Sequence, residues 1–183
     1  MVSYKWWVFV AVSLFVMGFL FGLATPADIG GAPIEETELK KLADFLAPLP
    51  QHTLFVFIFL KNVAAILVSL AFSPLFLLVP IAALTFNGWL LGWVANTVIA
   101  EKSLGYLLAG LLPHGIIELP ALFLGEAFAL KFGMSFLFFL FKKERSGLRM
   151  NLRRDFIYLM VSLALFLPAA LIETYITPLF LGQ

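Results

Sequence analysis

Apolar and polar positions form long alternating blocks along this chain, and five apolar blocks reach the length of a membrane-spanning helix. A helix of about 20 apolar residues crosses the roughly 30 Å hydrocarbon core of a bilayer. The first block opens with the pair Trp6 and Trp7, which is typical of a membrane–water interface. The pattern predicts an all-α membrane bundle with spans over residues 6–24, 53–72, 74–100, 104–141 and 156–177.

The fourth block is too long for one straight crossing, since it would reach about 55 Å as a continuous helix. Its middle reads LPHGIIELP over Leu112–Pro120. Proline removes a backbone donor and clashes with the preceding turn, and glycine adds backbone freedom. We therefore expect the fourth helix to be broken near Pro113–Gly115. In the simpler alternative, Pro113 is the first residue of a helix.

The segment between the first two spans is polar and acidic. Within it, Leu39, Leu42, Ala43 and Leu46 recur at helical spacing. This spacing predicts a short amphipathic helix over about 35–47 that lies on the membrane surface.

Basic residues indicate how the chain is oriented. The loop 142–154, KKERSGLRMNLRR, holds six of the twelve lysines and arginines. The positive-inside rule places this loop in the cytoplasm. In a cell membrane, five crossings then put the N-terminus in the cytoplasm and the segment 35–47 and the C-terminus outside. The loop either only sets this topology or also binds anionic lipid headgroups. The residues that would bind them are Lys142, Lys143, Arg145, Arg149, Arg153 and Arg154.

Composition supports a single integral membrane domain over residues 1–183. The chain is 62% hydrophobic and only 13% charged, whereas a soluble domain is about half apolar and about a quarter charged. It has no cysteine, which excludes disulfides and thiolate metal sites. The lack of soluble surface argues against nucleic-acid binding. Zinc-protease, serine-hydrolase and P-loop motifs are missing as well.

Several polar side chains interrupt the predicted spans, where an ionisable group at the centre costs at least about 2.5 kcal/mol. His114 and Glu118 are four residues apart and share one helix face. That pair is consistent with a structural hydrogen bond, a proton or ion site, or two metal ligands. We expect Asn62, Asn87 and Glu173 as further members of such a cluster. The full set is Lys61, Asn62, Asn87, Asn96, His114, Glu118, Glu126, Lys131 and Glu173.

For two of these residues we expect a position outside the polar cluster. Glu126 and Lys131 are predicted to lie nearer an interface, with Lys131 extending to the cytoplasmic side. Separately, Gly88 and Gly92 form a small-xxx-small pattern that lets another helix approach closely.

Four stretches of the chain resemble the stage II sporulation protein M family of integral membrane proteins. They are LLPHGIIELP at Leu111–Pro120, LTFNGWLLGWVA at Leu84–Ala95, AALIETYITP at Ala169–Pro178 and FLKNVA at Phe59–Ala64. The resemblance implies a membrane anchor or scaffold, because the family's named member works with a peptidoglycan-degrading pair in spore-forming bacteria. It implies no catalytic mechanism. The chain departs from the family pattern at Lys61 and Glu126, and both departures add charge.

Three functions remain open. A membrane scaffold or assembly factor, which the sequence favours, would keep its polar cluster paired and closed to water. A small ion or solute transporter or channel, acting as a homodimer, would have a water-filled cavity reaching His114 and Glu118. An intramembrane metal-dependent hydrolase would bind metal through at least three protein ligands. The expected partners are the lipid bilayer, anionic headgroups and a second membrane protein or copy. The pattern identifies no cofactor.

Overall fold

A computed structural model describes residues 3–26, 45, 48–142 and 152–182. Within these residues the chain is helical and contains no β-strand. Five helices are long and apolar enough to cross a membrane, which confirms the predicted fold class. They are α1 (Tyr4–Leu23), α2 (Gln51–Phe72), α3 (Leu78–Glu101), α4 (Leu104–Lys142) and α5 (Leu152–Leu171). A π-helical segment (Ile172–Ile176) and a short α6 (Thr177–Phe180) continue from α5.

Helix α4 passes through both of its prolines without a break, so the predicted break near Pro113–Gly115 is wrong. Pro113 and Pro120 lie inside one α-helix of 39 residues, about 58 Å long at 1.5 Å per residue. Helix α4 begins at Leu104, so Pro113 is not a first helical residue either. Each proline removes a single donor, whereas a full break would strand several carbonyls in a medium without water. Continuing the helix is therefore less costly than ending it.

The last span also continues further than expected. We predicted an end at Thr177, before Pro178, but α6 carries the helical path to Phe180. Pro178 lies in the first turn of α6, where its missing N–H would have no intrahelical partner in any case. Helix α3, in contrast, is shorter at its start than the predicted span. Phe76 and Leu77 have positive φ angles of 52° and 62°, so residues 74–77 form a turn and the helix starts four residues after the predicted span.

Helices α1 and α3 pack with their backbones in direct contact through four glycines. A Cβ atom on any of them would overlap a backbone carbonyl oxygen of the facing helix. The close approach predicted at Gly88 and Gly92 is therefore confirmed, and Gly18 and Gly22 supply its other half. The four pairs are Gly18 with Thr85, Gly22 with Trp89, Gly88 with Phe15, and Gly92 with Phe19.

Helix α4 packs on α1, α2, α3 and α5. Its middle part, from Ala121 to Lys131, includes the longest run of buried residues in the described part of the chain. The predicted surface helix over 35–47 lies outside the described residues apart from Phe45. Lys143, Arg145 and Arg149 of the basic loop also lie outside them. At Lys142, Arg153 and Arg154 the structure describes the helical backbone.

Candidate functional site

Three side chains from two elements meet beside α4. His114 and Glu118 project from α4 at one-turn spacing, and Glu173 comes from the π-helical segment. One ligand atom from each lies within 4.8 Å of the other two. His114 Nε2 is 3.9 Å from Glu118 Oε2. The structure thus brings together residues that are as far as 59 positions apart in sequence, counting from His114 to Glu173.

The π-helical segment orients the C-terminal contribution to this group. In Ile172–Ile176 the turn is wider than in an α-helix, and the Thr177 N–H bonds back to the Ile172 carbonyl. Single π turns inside helices are rare and are frequent at functional sites. Here the segment lets both Glu173 and Thr177 reach α4. The sequence showed no signal of this turn.

His114 is held by a hydrogen bond that also indicates its tautomer. Its Nδ1 lies 3.3 Å from Thr177 Oγ1, and the same hydroxyl donates to the Ile172 carbonyl at 3.2 Å. A hydroxyl has one hydrogen to donate. With that hydrogen assigned to the Ile172 carbonyl, the hydroxyl accepts from Nδ1–H, and in the neutral imidazole Nε2 then carries the lone pair. This lone pair faces Glu118.

Glu118 is oriented from the other side by α2. Asn62 is buried, and its Nδ2 donates to Glu118 Oε1 at 3.0 Å. The second carboxylate oxygen, Oε2, is left facing His114. We call this group the cavity cluster: Asn62, His114, Glu118, Glu173 and Thr177.

A cavity of about 260 Å³ lies against the cavity cluster. Its lining includes apolar side chains of α1, α3 and α4 together with Lys61, Asn87, His114, Glu118 and Glu173. Lys61 and Asn87 lie near the middle of α2 and α3 and are exposed on the surface of the chain. Asn87 donates to the Ala83 carbonyl of its own helix at 2.7 Å. These two residues therefore lie where the cavity meets the surface, at mid-span depth.

A second polar group lies further along α4 and is closed. Glu126 is 0% exposed and accepts a 2.6 Å hydrogen bond from Ser69 of α2. Lys131, 8% exposed, forms a 2.7 Å ion pair with Asp155 of α5, which is 0% exposed. We call this group the buried cluster: Ser69, Glu126, Lys131 and Asp155.

The buried cluster refines the expectation for Glu126 and Lys131. Both side chains are buried in the bundle, and Lys131 reaches Asp155 at the first turn of α5, the end of that helix which adjoins the basic loop. Sequence analysis missed Asp155 because it looks like part of that loop. At the first turn of α5 its carboxylate is favoured by the helix dipole, and it neutralises Lys131 inside the bundle. Asn96 belongs to neither cluster, since it donates to the Thr25 carbonyl at the end of α1.

Comparison with known proteins identifies one matching family and one similar archaeal protein. The family model described as "Stage II sporulation protein M" matches residues 11–178. An uncharacterized protein of Methanocaldococcus jannaschii is similar to the chain, with 28% identity over 173 residues that cover 93% of each sequence. No solved structure matches the chain.

Proposed function

Because the chain belongs to the stage II sporulation protein M family and has five helices able to span a membrane, we propose that it is a small ion or solute transporter or channel. Its binding site is the cavity beside the cavity cluster. The observation that carries this proposal is that Lys61, His114, Glu118 and Glu173 line one space at mid-span. Ionisable groups at this depth usually face a water-filled cavity or mark an ion or substrate pathway.

The geometry supports a scaffold role less well. A cluster that serves only architecture is stable when it is closed and its opposite charges meet, as Lys131 and Asp155 do in the buried cluster. In the cavity cluster, the side chains of His114 and Glu118 are 13% and 26% exposed and border open space. Ionisable groups that border a cavity are placed to contact water or a polar ligand, which a purely structural cluster does not require.

Cysteine accessibility tests whether water reaches the cavity. The chain has no native cysteine, so each single substitution reports on one position. We expect Asn87→Cys, at the cavity, to react with a small membrane-impermeant methanethiosulfonate in sealed vesicles. Met17→Cys is the matched control, since Met17 is 66% exposed on α1 and does not line the cavity. If both cysteines are equally inert from both sides, the cavity is closed to water and the scaffold role replaces the transporter role.

The orientation and the assembly form part of the same proposal. The protein lies in the cell membrane with its N-terminus and the basic loop in the cytoplasm and its C-terminus outside. Two copies associate, because Lys61 and Asn87 are exposed at mid-span, where a lipid-facing charge is costly. Reporter fusions at each terminus test the orientation, and crosslinking in vesicles through Lys61→Cys tests the association. A C-terminal fusion that reports the cytoplasm would contradict the five-crossing topology.

A further inference from the structure

Within the cavity cluster, three atoms that can ligate a metal lie close together. They are a ring nitrogen of His114 and one carboxylate oxygen each of Glu118 and Glu173, all within 4.8 Å of one another. The Nε2–Oε2 separation of 3.9 Å is too long for a hydrogen bond. Facing lone pairs repel, so a cation between them would stabilise the arrangement more than the empty geometry does.

From this convergence we propose that His114, Glu118 and Glu173 bind one divalent first-row transition-metal ion, such as Zn²⁺, inside the cavity. The inference rests on the proposed function and names the chemical class of its ligand. Imidazole nitrogen together with carboxylate oxygen suits these ions, whereas Mg²⁺ and Ca²⁺ prefer oxygen ligands alone.

The 3.9 Å separation between His114 and Glu118 suits a metal ion better than a shared proton. Zinc binds His nitrogen and carboxylate oxygen at about 2.0–2.2 Å, which places tetrahedral ligands about 3.4 Å apart. His114 and Glu118 would therefore close by about half an ångström around an ion. Rotation of the glutamate side chains supplies that movement.

The atoms that do not face the metal position are already held. The His114 Nδ1–H donates to Thr177, and Glu118 Oε1 accepts from Asn62. Metal-binding histidines almost always donate their other ring N–H in this way, and ligating carboxylates are hydrogen-bonded in turn. Thr177 and Asn62 are therefore positioning residues that fix which atoms face the ion.

The cavity leaves room for exchangeable ligands. A volume of about 260 Å³ is several times the roughly 30 Å³ that a water molecule occupies in the liquid. With three protein ligands, the ion keeps at least one coordination position for water or for a transported group. That is the arrangement of an accessible metal site and not of a closed structural one.

Metal binding is measured on the full-length protein purified in detergent with a tag that contains no histidine. The chelator-treated protein is dialysed against Zn²⁺ and analysed for bound metal. Co²⁺ in place of Zn²⁺ adds visible absorption bands that report the ligand set. We expect one ion per chain in the wild type. His114→Ala, Glu118→Gln and Glu173→Gln should each weaken binding at least 100-fold.

Control variants keep the test independent of folding. Glu126→Gln changes a carboxylate on the same helix but outside the site, and it should bind metal like the wild type. Thr177→Val and Asn62→Ala leave all three ligands in place and should weaken binding by about 10- to 100-fold with a shifted Co²⁺ spectrum. Each variant is compared only as a monodisperse sample. If a ligand variant fails to fold, the metal affinities of Thr177→Val and Asn62→Ala test the site instead.

The possible results separate this inference from the proposed function. Wild-type protein that binds less than a tenth of an equivalent of Zn²⁺ and of Co²⁺, or equal binding in the ligand variants, overturns the metal site. If Asn87→Cys is nevertheless labelled by the water-soluble reagent, the transporter proposal stands and its ligand is not a transition metal. Stoichiometric binding in an unlabelled cavity would support the metal site and overturn transport.

Discussion

The cavity cluster and the buried cluster lie on the same helix, yet they differ in almost every physical respect. In the buried cluster, Lys131 meets its counter-ion at 2.7 Å, and Glu126 accepts a 2.6 Å bond from Ser69. In the cavity cluster, the facing atoms of His114 and Glu118 stay 3.9 Å apart beside open space. The buried cluster joins α4 to α2 and α5, whereas the cavity cluster joins α4 to α2 and α6 and also borders a cavity.

This difference shows that charge within a membrane span does not by itself indicate function. A buried charge that has found its counter-ion is part of the packing, and its removal is felt as lost stability. A group of lone pairs that face each other across a gap is the one that gains from a ligand. Substitutions should therefore divide between the two clusters, with stability effects in one and binding effects in the other.

The largest stability loss is expected for Lys131→Met. It leaves Asp155 charged and fully buried, and breaking a buried pair in this way costs about 3–5 kcal/mol. The double variant Lys131→Met, Asp155→Leu removes both charges and should recover most of that loss. Thermal unfolding in detergent, followed by circular dichroism, measures both. A single variant as stable as the wild type would mean that the pair does not hold α4 to α5.

A smaller loss is expected for Ser69→Ala. It removes the hydroxyl that donates to Glu126 and leaves this buried carboxyl without a partner among the described residues. An unsatisfied buried polar group costs about 1–3 kcal/mol. Ser13→Ala is the matched control, because among the described residues the Ser13 hydroxyl bonds only to the Phe9 carbonyl of its own helix. It should change stability by less than about 0.5 kcal/mol. If the two variants change stability equally, the hydrogen bond between Ser69 and Glu126 does not stabilise the bundle.

Glu118→Gln should change stability by less than about 1 kcal/mol, although Glu118 is as central in the sequence of α4 as Glu126. The side chain is 26% exposed, and the amide oxygen of glutamine still accepts from Asn62, so no buried group loses its partner. The same unfolding assay measures the change. A loss as large as that of Lys131→Met would show that the cavity cluster is structural.

The smallest effect on stability is expected for Lys61→Met, since Lys61 is exposed and lies at the opening of the cavity. Its removal should leave unfolding unchanged within about 0.5 kcal/mol. It should also tighten Zn²⁺ binding several-fold, because a positive charge that repels a divalent cation is lost. Equilibrium dialysis against Zn²⁺ measures whether the affinity rises or falls. Weaker binding would mean that Lys61 orders the site and does not oppose the ion.

Much of the fold follows from residue patterns alone. Five apolar blocks predicted the five helices, because a bilayer requires a minimum apolar length and an intrasegment partner for each backbone group. The glycine spacing at Gly88 and Gly92 predicted a close helix contact, although the pattern could not say that α1 was the partner. The predicted break at Pro113 was wrong, because a helix that ends inside a bilayer leaves more backbone groups without a partner than the single donor that proline removes.

The sequence by itself determined which side chains are present at membrane depth and which of them share a face of α4. Only the tertiary structure decided which of those charges are paired. The i, i+4 spacing of His114 and Glu118 is local, but Asp155 and Glu173 join their partners across helices. Such pairings depend on how α5 and its π turn pack against α4. That packing is a collective result of side-chain volumes along several helices, and no single stretch of the chain contains it.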